Sequence, residues 1–137
     1  MIELGQKHYV LFDGDCGFCH YSADHIRAMD TGKSRFEVIS YQSIPEADLL
    51  KFGVTYAACD HQLHVISRRG GVWRGPFAIN FIAFHFLPWT ILVILLYLFP
   101  IFILFEMIGY RLVARYRGRI SVWLGLTACR LPVKEKD

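Results

Sequence analysis

The stretch YVLFDGDCGFCHYSADHIRAMD, residues 9–30, decides the fold class of this chain. It opens within a short aromatic and β-branched run, residues 8–12, that ends abruptly at polar residues and is typical of a buried strand. Over residues 16–30 the apolar side chains recur at roughly helical spacing. The stretch therefore predicts a strand, a turn and a helix, with the C-x-x-C pair Cys16 and Cys19 at the helix start.

The residues that follow continue an α/β pattern. Ser43 and Glu46 have the spacing of a capping box, and Pro45 suits the first turn of the helix that they begin. The order β-α-β-α-β-β is therefore predicted for residues 1–76. Its later elements are a strand over 36–41, a helix running to 53, a strand over 63–67, a tight turn at 69–71 and a return strand over 72–74.

Residues 77–137 are expected to form an apolar helical extension that packs on this core or associates with a membrane. Residues 77–108 contain a single charged side chain, and Leu87–Phe105 contain none, which is the length of a membrane span. Pro88 and Pro100 divide this segment and predict three short helices, since proline suits a helix start and interrupts a helix interior. Membrane contact through residues 77–108 and packing on the core both remain open.

The overall composition excludes several classes of protein. The chain is 54% hydrophobic and only 20% charged, and its net charge of +3 is too small to indicate nucleic-acid binding. Four cysteines in 137 residues do not form the framework of a small secreted protein. The N-terminus lacks the pattern of a signal peptide, so we expect the reducing cytosol, with membrane association as an addition. A C-x-x-C pair in that compartment is more often catalytic or metal-binding than structural.

The predicted position of the cysteines favours thiol chemistry. Unpaired N–H groups and the dipole at a helix start stabilise a thiolate, so Cys16 is the predicted nucleophile. Cys19, one turn further, is placed to resolve a mixed disulfide. Asp13 and Asp15 oppose a second negative charge. Asp13, at the strand end, is a candidate proton acceptor for the resolving cysteine.

Two alternatives keep the cysteines without redox chemistry. Zinc would take Cys16 and Cys19 with ligands drawn from Cys59, His61 and His64, although the spacing does not match a common zinc ribbon. The cysteines can also be small buried residues without chemistry.

Two further alternatives use neighbouring residues. Cys19-His20 completes the C-x-x-C-H pattern of covalent haem attachment, which requires an exported chain. Asp13 and Asp15 after an apolar strand have the spacing of the carboxylates in haloacid-dehalogenase-type phosphotransferases. That mechanism also needs a lysine and an acidic pair, and no lysine follows Lys51 until Lys134.

With Asp13, Cys16 and Cys19 in the order D-x-x-C-x-x-C, the sequence resembles the DCC family (DUF393) of predicted thiol-disulfide oxidoreductases. The resemblance implies a thioredoxin-like fold, functional roles for these three residues, and a protein or small-molecule disulfide as substrate. It implies no metal or organic cofactor, and Cys129 matches the family's C-terminal cysteine. The resemblance covers most of the chain, in FDGDCGFC (12–19), RFEVISYQS (35–43), GPFAI (75–79), YRLVARYR (110–117) and CRLP (129–132).

The sequence departs from this pattern in two places. Thioredoxins carry a proline before the third strand, and VTYAACDHQLHV (54–65) has none; its Cys59 is interpreted as a core residue. The segment WTILVILLYLFPIFILF (89–105) is more apolar than a soluble member of such a family requires. A membrane-associated binding or assembly protein that keeps the fold without turnover is therefore the alternative function.

Overall fold

The computed structural model describes residues 2–126, and this part of the chain contains four strands, six α-helices and one short 3-10 helix. The predicted alternation of strands and helices is present. The elements are β1 (His8–Phe12), α1 (Gly17–Met29), β2 (Phe36–Ser40), the 3-10 helix (Tyr41–Ser43), α2 (Glu46–Leu50), α3 (Tyr56–His61), β3 (His64–Ile66), β4 (Val72–Arg74), α4 (Pro76–Phe84), α5 (Trp89–Leu98) and α6 (Ile101–Trp123).

The strands form one mixed sheet in the order β2-β1-β3-β4. β1 pairs with β2 in parallel, with Val10 opposite Val38, because α1 provides the crossover between them. β3 runs antiparallel to β1, with Val65 opposite Val10, and the tight turn returns the chain into β4. This topology is consistent with the predicted thioredoxin-like α/β fold.

The sheet has a core on each face, because successive residues of a strand point to opposite sides. On the first face β1 packs against α1 and α4, and on the second face it packs against the segment from the 3-10 helix to α3. The first cluster contains Val10, Phe12, Ala23, Phe36, Val38, Val65, Ala78, Ile82 and Phe86. The second contains Leu11, Tyr41, Ile44, Leu49, Val54, Cys59 and Ile66. α4 thus belongs to the first cluster, and the predicted domain boundary between residues 76 and 77 stays a prediction.

The predicted capping box at α2 is wrong. Pro45 is the N-cap of this helix and makes no side-chain cap. Ser43 closes the 3-10 helix instead, since its Oγ donates to the Ser40 carbonyl at 2.6 Å. Glu46 accepts a hydrogen bond at 2.9 Å from the backbone N–H of Tyr56 and so connects α2 to α3. Both side chains form tertiary or turn contacts that compete with the local box.

α3 was not predicted as an element. Its N-cap is Thr55, whose Oγ1 accepts from the Ala58 N–H at 3.1 Å. The helix is six residues long and has no sustained apolar repeat, so the periodicity that identifies longer helices is missing. A threonine cap was the available signal.

The C-terminal helices begin where the prolines predict, with Pro88 and Pro100 as the N-caps of α5 and α6. The expectation of three short helices is wrong for α6, which continues for 23 residues because no proline follows Pro100 within it. Across residues 2–126 we find no individual helix with both the length and the apolar character to cross a bilayer. α5 and α6 meet those criteria only together, as a pair bent by 116°.

Candidate active site

The turn between β1 and α1 presents the first cysteine at the helix start. Cys16 is the N-cap of α1 in an extended conformation, and its Sγ accepts the Cys19 N–H at 3.3 Å. The turn is closed by Asp13, whose carbonyl accepts from the Cys16 N–H and whose Oδ1 accepts from the Asp15 N–H at 3.0 Å. The cysteine therefore replaces the usual serine or aspartate cap, and its sulfur satisfies a helix N–H group.

The two thiols have opposite shifts in acidity. The pKa of Cys16 is lowered to about 6, first because the Cys19 side chain donates a hydrogen bond to its sulfur. The Cys19 backbone N–H and the positive charge of Arg117 lower it further, against burial and the charge of Asp13. The pKa of Cys19 is raised far above its usual range, because it donates that hydrogen bond, is partly buried and lies beside the Cys16 charge. Cys16 is therefore the thiol that ionises.

Asp13 is buried, at 7% exposure, and is held by three partners. Besides the Asp15 N–H, its Oδ1 accepts from Gln42 Nε2 at 2.9 Å. Its Oδ2 lies 3.2 Å from Arg117 Nη2 in an ion pair. The amide oxygen of Gln42 in turn accepts the Gly14 N–H at 3.0 Å, so Gln42 fixes both the turn and the carboxylate.

α6 adds two further residues to the start of α1. The hydroxyl of Ser121, a buried residue, accepts the Phe18 N–H at 3.0 Å and donates to the Arg117 carbonyl at 2.9 Å. Arg117 Nη2 also donates to the Asp60 carbonyl at 2.8 Å, which attaches α6 to the end of α3. A first-turn N–H of α1 is thus satisfied by a distant helix, and a guanidinium is held close to both cysteines.

Sequence reasoning identified Asp13, Cys16 and Cys19, which the fold brings together, and missed Arg117, Ser121 and Gln42 as parts of the same site. The motifs RFEVISYQS and YRLVARYR contain Gln42 and Arg117, and this was the only signal that could have identified them.

The other candidate ligands lie apart from the pair or serve packing. Cys59 is buried in the second core cluster, and burial raises its pKa to about 11. His64 is fully buried on β3, with Nδ1 2.9 Å from the Gln62 carbonyl. His20 places Nε2 2.7 Å from the Gly14 carbonyl and stabilises the turn. Among residues 2–126 no three His, Cys, Asp or Glu side chains are grouped so that they could hold a metal ion. Cys129 lies outside the described residues.

Comparison with known proteins assigns the chain to a family. A family model described as DCC1-like thiol-disulfide oxidoreductase matches residues 10–123. This range includes the cysteine pair and Asp13 as well as Arg117 and Ser121 on α6. Neither the curated proteins nor the solved structures contain a match to this chain. The chain belongs to the DCC1-like thiol-disulfide oxidoreductase family, as its resemblance to the DCC motifs predicts.

Proposed function

We propose that Cys16 and Cys19 form a dithiol–disulfide pair that exchanges with the disulfide of a protein or a small molecule. The observation that supports this most directly is the position of Cys16 at the N-cap of α1, where its Sγ accepts the Cys19 N–H at 3.3 Å and its pKa is lowered to about 6, so the thiolate predominates at pH 7. The Cys16 thiolate attacks a substrate sulfur, forms a mixed disulfide and releases the other sulfur as a thiolate. Cys19 then loses its proton and attacks the Cys16 sulfur, which forms the intramolecular disulfide and releases the second substrate thiol.

The second step needs a proton acceptor because the Cys19 thiol is otherwise held protonated. Once Cys16 is in a mixed disulfide, its negative charge is lost and so is the strongest cause of the raised Cys19 pKa. Asp13 is the acceptor we propose. Its carboxylate is buried beside the pair, and its negative charge raises the pKa of both thiols.

Trapping the mixed disulfide tests the order of attack. Reaction of a Cys19→Ser variant with oxidised glutathione should leave one glutathione bound at Cys16. The Cys16→Ser variant should carry no glutathione at Cys19. Cys59→Ser is the matched control, since it removes a buried thiol outside the pair, and it should exchange like the wild type. Peptide mass spectrometry identifies the modified residue. Stable adduct formation at Cys19 in Cys16→Ser, with none at Cys16 in Cys19→Ser, would reverse the assignment.

The role of Asp13 is tested separately by Asp13→Asn, which keeps the hydrogen-bond acceptor and removes the charge. Resolution of a preformed mixed disulfide should slow by at least tenfold, because the proton acceptor is gone. The first attack should not slow, because loss of the Asp13 charge lowers the Cys16 pKa further. Equal rates of resolution in the variant and the wild type across pH 5 to 8 would remove Asp13 from the proposal.

Contact with a membrane through residues 77–108 is proposed as a second property of the protein. α5 buries only Val93, although almost all its residues are apolar, and an apolar helix without a core around it is typical of a membrane environment. Exposed arginines follow on α6 and complement anionic headgroups. The exposed large apolar side chains of residues 77–108 are Phe77, Ile79, Phe84, Leu87, Trp89, Ile91, Leu92, Ile94, Leu95, Tyr97, Leu98, Phe99, Ile101, Phe102, Leu104, Phe105 and Ile108.

Flotation with anionic phospholipid vesicles tests this contact. The wild type should float with the vesicles, and Leu92→Glu combined with Phe105→Glu should remain at the bottom of the gradient. Leu4→Glu combined with Leu50→Glu alters two exposed leucines elsewhere and should float normally. A wild type that dimerises in light scattering and fails to float would instead assign this surface to a second copy of the chain. Floating protein without any disulfide exchange would favour the alternative function, a binding or assembly protein.

A further inference from the structure

A cavity of about 480 Å³ lies beside the cysteine pair, between the sheet, α1, α4 and α6. This volume is within the range of sites that bind small organic molecules. Most of its lining is hydrocarbon, from side chains such as Ile26, Ile82 and Val113. Cys19 lines the cavity as well, so a bound molecule lies beside one residue of the pair. The cavity is thus mainly apolar and has one cysteine of the pair in its lining.

Polar groups make up a small part of the lining surface. They include those of Asp13, Ser22, His25, His61 and Gln62 and of two hydrogen-bond donors, Arg117 and Tyr110. The Arg117 guanidinium carries five N–H groups, of which the Nη2 group bonds Asp13 and Asp60. The Tyr110 hydroxyl accepts the Leu63 N–H at 2.9 Å, and its pKa is raised by burial, so its own proton remains available for donation. An apolar ligand with carbonyl acceptors matches this lining.

The cavity is continuous with the exposed apolar surface of the molecule. Tyr21, Ile79, Trp89 and Val113 line it and are also more than one-third exposed. Trp89 is the first residue of α5, the helix proposed to contact a membrane. A ligand that partitions into a lipid phase would therefore meet the cavity from that side.

We propose that this cavity binds a lipophilic quinone and that the quinone accepts the electrons of the dithiol. The inference rests on the proposed function of Cys16 and Cys19 and adds to it the class of electron acceptor. A quinone has an apolar ring, two carbonyl oxygens for the Arg117 and Tyr110 donors, and a capacity for two electrons, which is the number that disulfide formation releases.

The reaction balances with one proton taken from solvent. Cys19 adds through sulfur to a ring carbon of the quinone as its proton passes to Asp13, the acceptor proposed above. The Cys16 thiolate then attacks the Cys19 sulfur. The new S–S bond forms as the C–S bond breaks, and the electron pair of the broken bond stays on the ring. The ring oxygens take up two protons, one from Asp13 and one from solvent, so the dithiol is oxidised and the quinone becomes a hydroquinone.

Binding is tested without redox chemistry in a Cys16→Ser, Cys19→Ser background that also carries Trp73→Phe and Trp123→Phe, which leaves Trp89 as the single tryptophan. A decyl-substituted benzoquinone should quench its fluorescence saturably. Ala83→Phe fills the cavity and should weaken binding at least tenfold, and Ala114→Leu should weaken it if the first variant does not fold. Ala57→Phe, on the exposed side of α3, is the matched control and should bind within twofold of the parent. Equal, non-saturable quenching in all variants would overturn the inference.

Electron transfer is tested with the reduced wild type under anaerobic conditions. The same quinone should give one hydroquinone, measured by absorbance, for each Cys16–Cys19 disulfide found by mass spectrometry. Exchange with oxidised glutathione is measured in parallel, because it reports the proposed function alone. A protein that exchanges with glutathione but neither binds nor reduces the quinone contradicts only this inference. A protein that binds the quinone without oxidation, while it exchanges with glutathione, also contradicts it.

Discussion

Replacement of Cys19 by alanine should raise the pKa of Cys16. The Cys19 side chain donates the hydrogen bond that contributes most to the low Cys16 pKa of about 6. A hydrogen bond to a charged group contributes about 1.5–3 kcal/mol, and one pKa unit corresponds to about 1.4 kcal/mol, so its loss should raise the pKa by about 1–2 units. The backbone N–H of residue 19 remains in Cys19→Ala and keeps the pKa below that of a free thiol. The thiolate fraction at pH 7 should therefore fall from about 90% to about 10–50%.

Cys19→Ser is the matched control, because its hydroxyl can still donate to the Cys16 sulfur. The rate of Cys16 alkylation by iodoacetamide, measured between pH 4 and 10 and resolved by peptide mass spectrometry, gives the pKa in each variant. In the wild type the rate should rise through pH 6 and level off above pH 7. A pKa in Cys19→Ala equal to that in Cys19→Ser would refute the assigned cause. A wild-type pKa near 8.5 would refute the ionised nucleophile itself.

Three further predictions concern charge, capping and pH. Arg117→Gln should raise the Cys16 pKa measurably, whereas the exposed Arg115→Gln should not; equal pKa values would exclude the guanidinium as a cause. Ser121→Ala removes the acceptor for a first-turn N–H of α1 and should lower the free energy of unfolding by about 1 kcal/mol in urea titration, while Ser121→Thr should retain most of it. The His8 pKa is lowered to about 4, mainly by burial, so the unfolded chain binds a proton first as pH falls below 6.5. The free energy of unfolding of the wild type should therefore fall by about 1 kcal/mol between pH 7 and 5. The free energy of unfolding of His8→Asn should fall less over that range. Parallel profiles of unfolding free energy against pH in the variant and the wild type would contradict this.

The sequence predicts the centre of the site well because its parts are local. β1 occurs at the residues that its apolar run indicates, and α1 begins one residue after Cys16. Cys16, Cys19 and Asp13 all lie within one strand, turn and helix, whose hydrogen bonds are largely internal to that segment. The position of the cysteine pair at the start of α1, with Asp13 beside it, could therefore be predicted from local spacing, and the chemistry of the pair stays a proposal.

The remaining parts of the site depend on contacts between distant segments. Arg117 and Ser121 approach α1 only because α6 continues for 23 residues, and the two prolines gave no information on where that helix ends. Gln42 binds Asp13 from a 3-10 helix that replaces the predicted capping box of Ser43. Local patterns assign side chains to local partners, and at these positions a tertiary partner replaces the local one.

The residues of α6 before Tyr110 and those from Tyr110 onward interact with the protein in different ways. From Tyr110 onward the helix is attached by polar contacts: the Tyr110 hydroxyl to the Leu63 N–H, Arg117 to Asp13, and Ser121 to α1. Ser121 is the only buried residue of the helix, so apolar burial contributes little to its attachment. Before Tyr110 the helix has one such bond within residues 2–126, from Asn80 Nδ2 to Glu106 at 3.0 Å, and it exposes its large apolar side chains. Hydrogen bonds depend on direction and distance more strictly than apolar contacts do. A helix held in this way fixes the position of the Arg117 charge beside the thiols, and it leaves its apolar part free to contact another apolar phase.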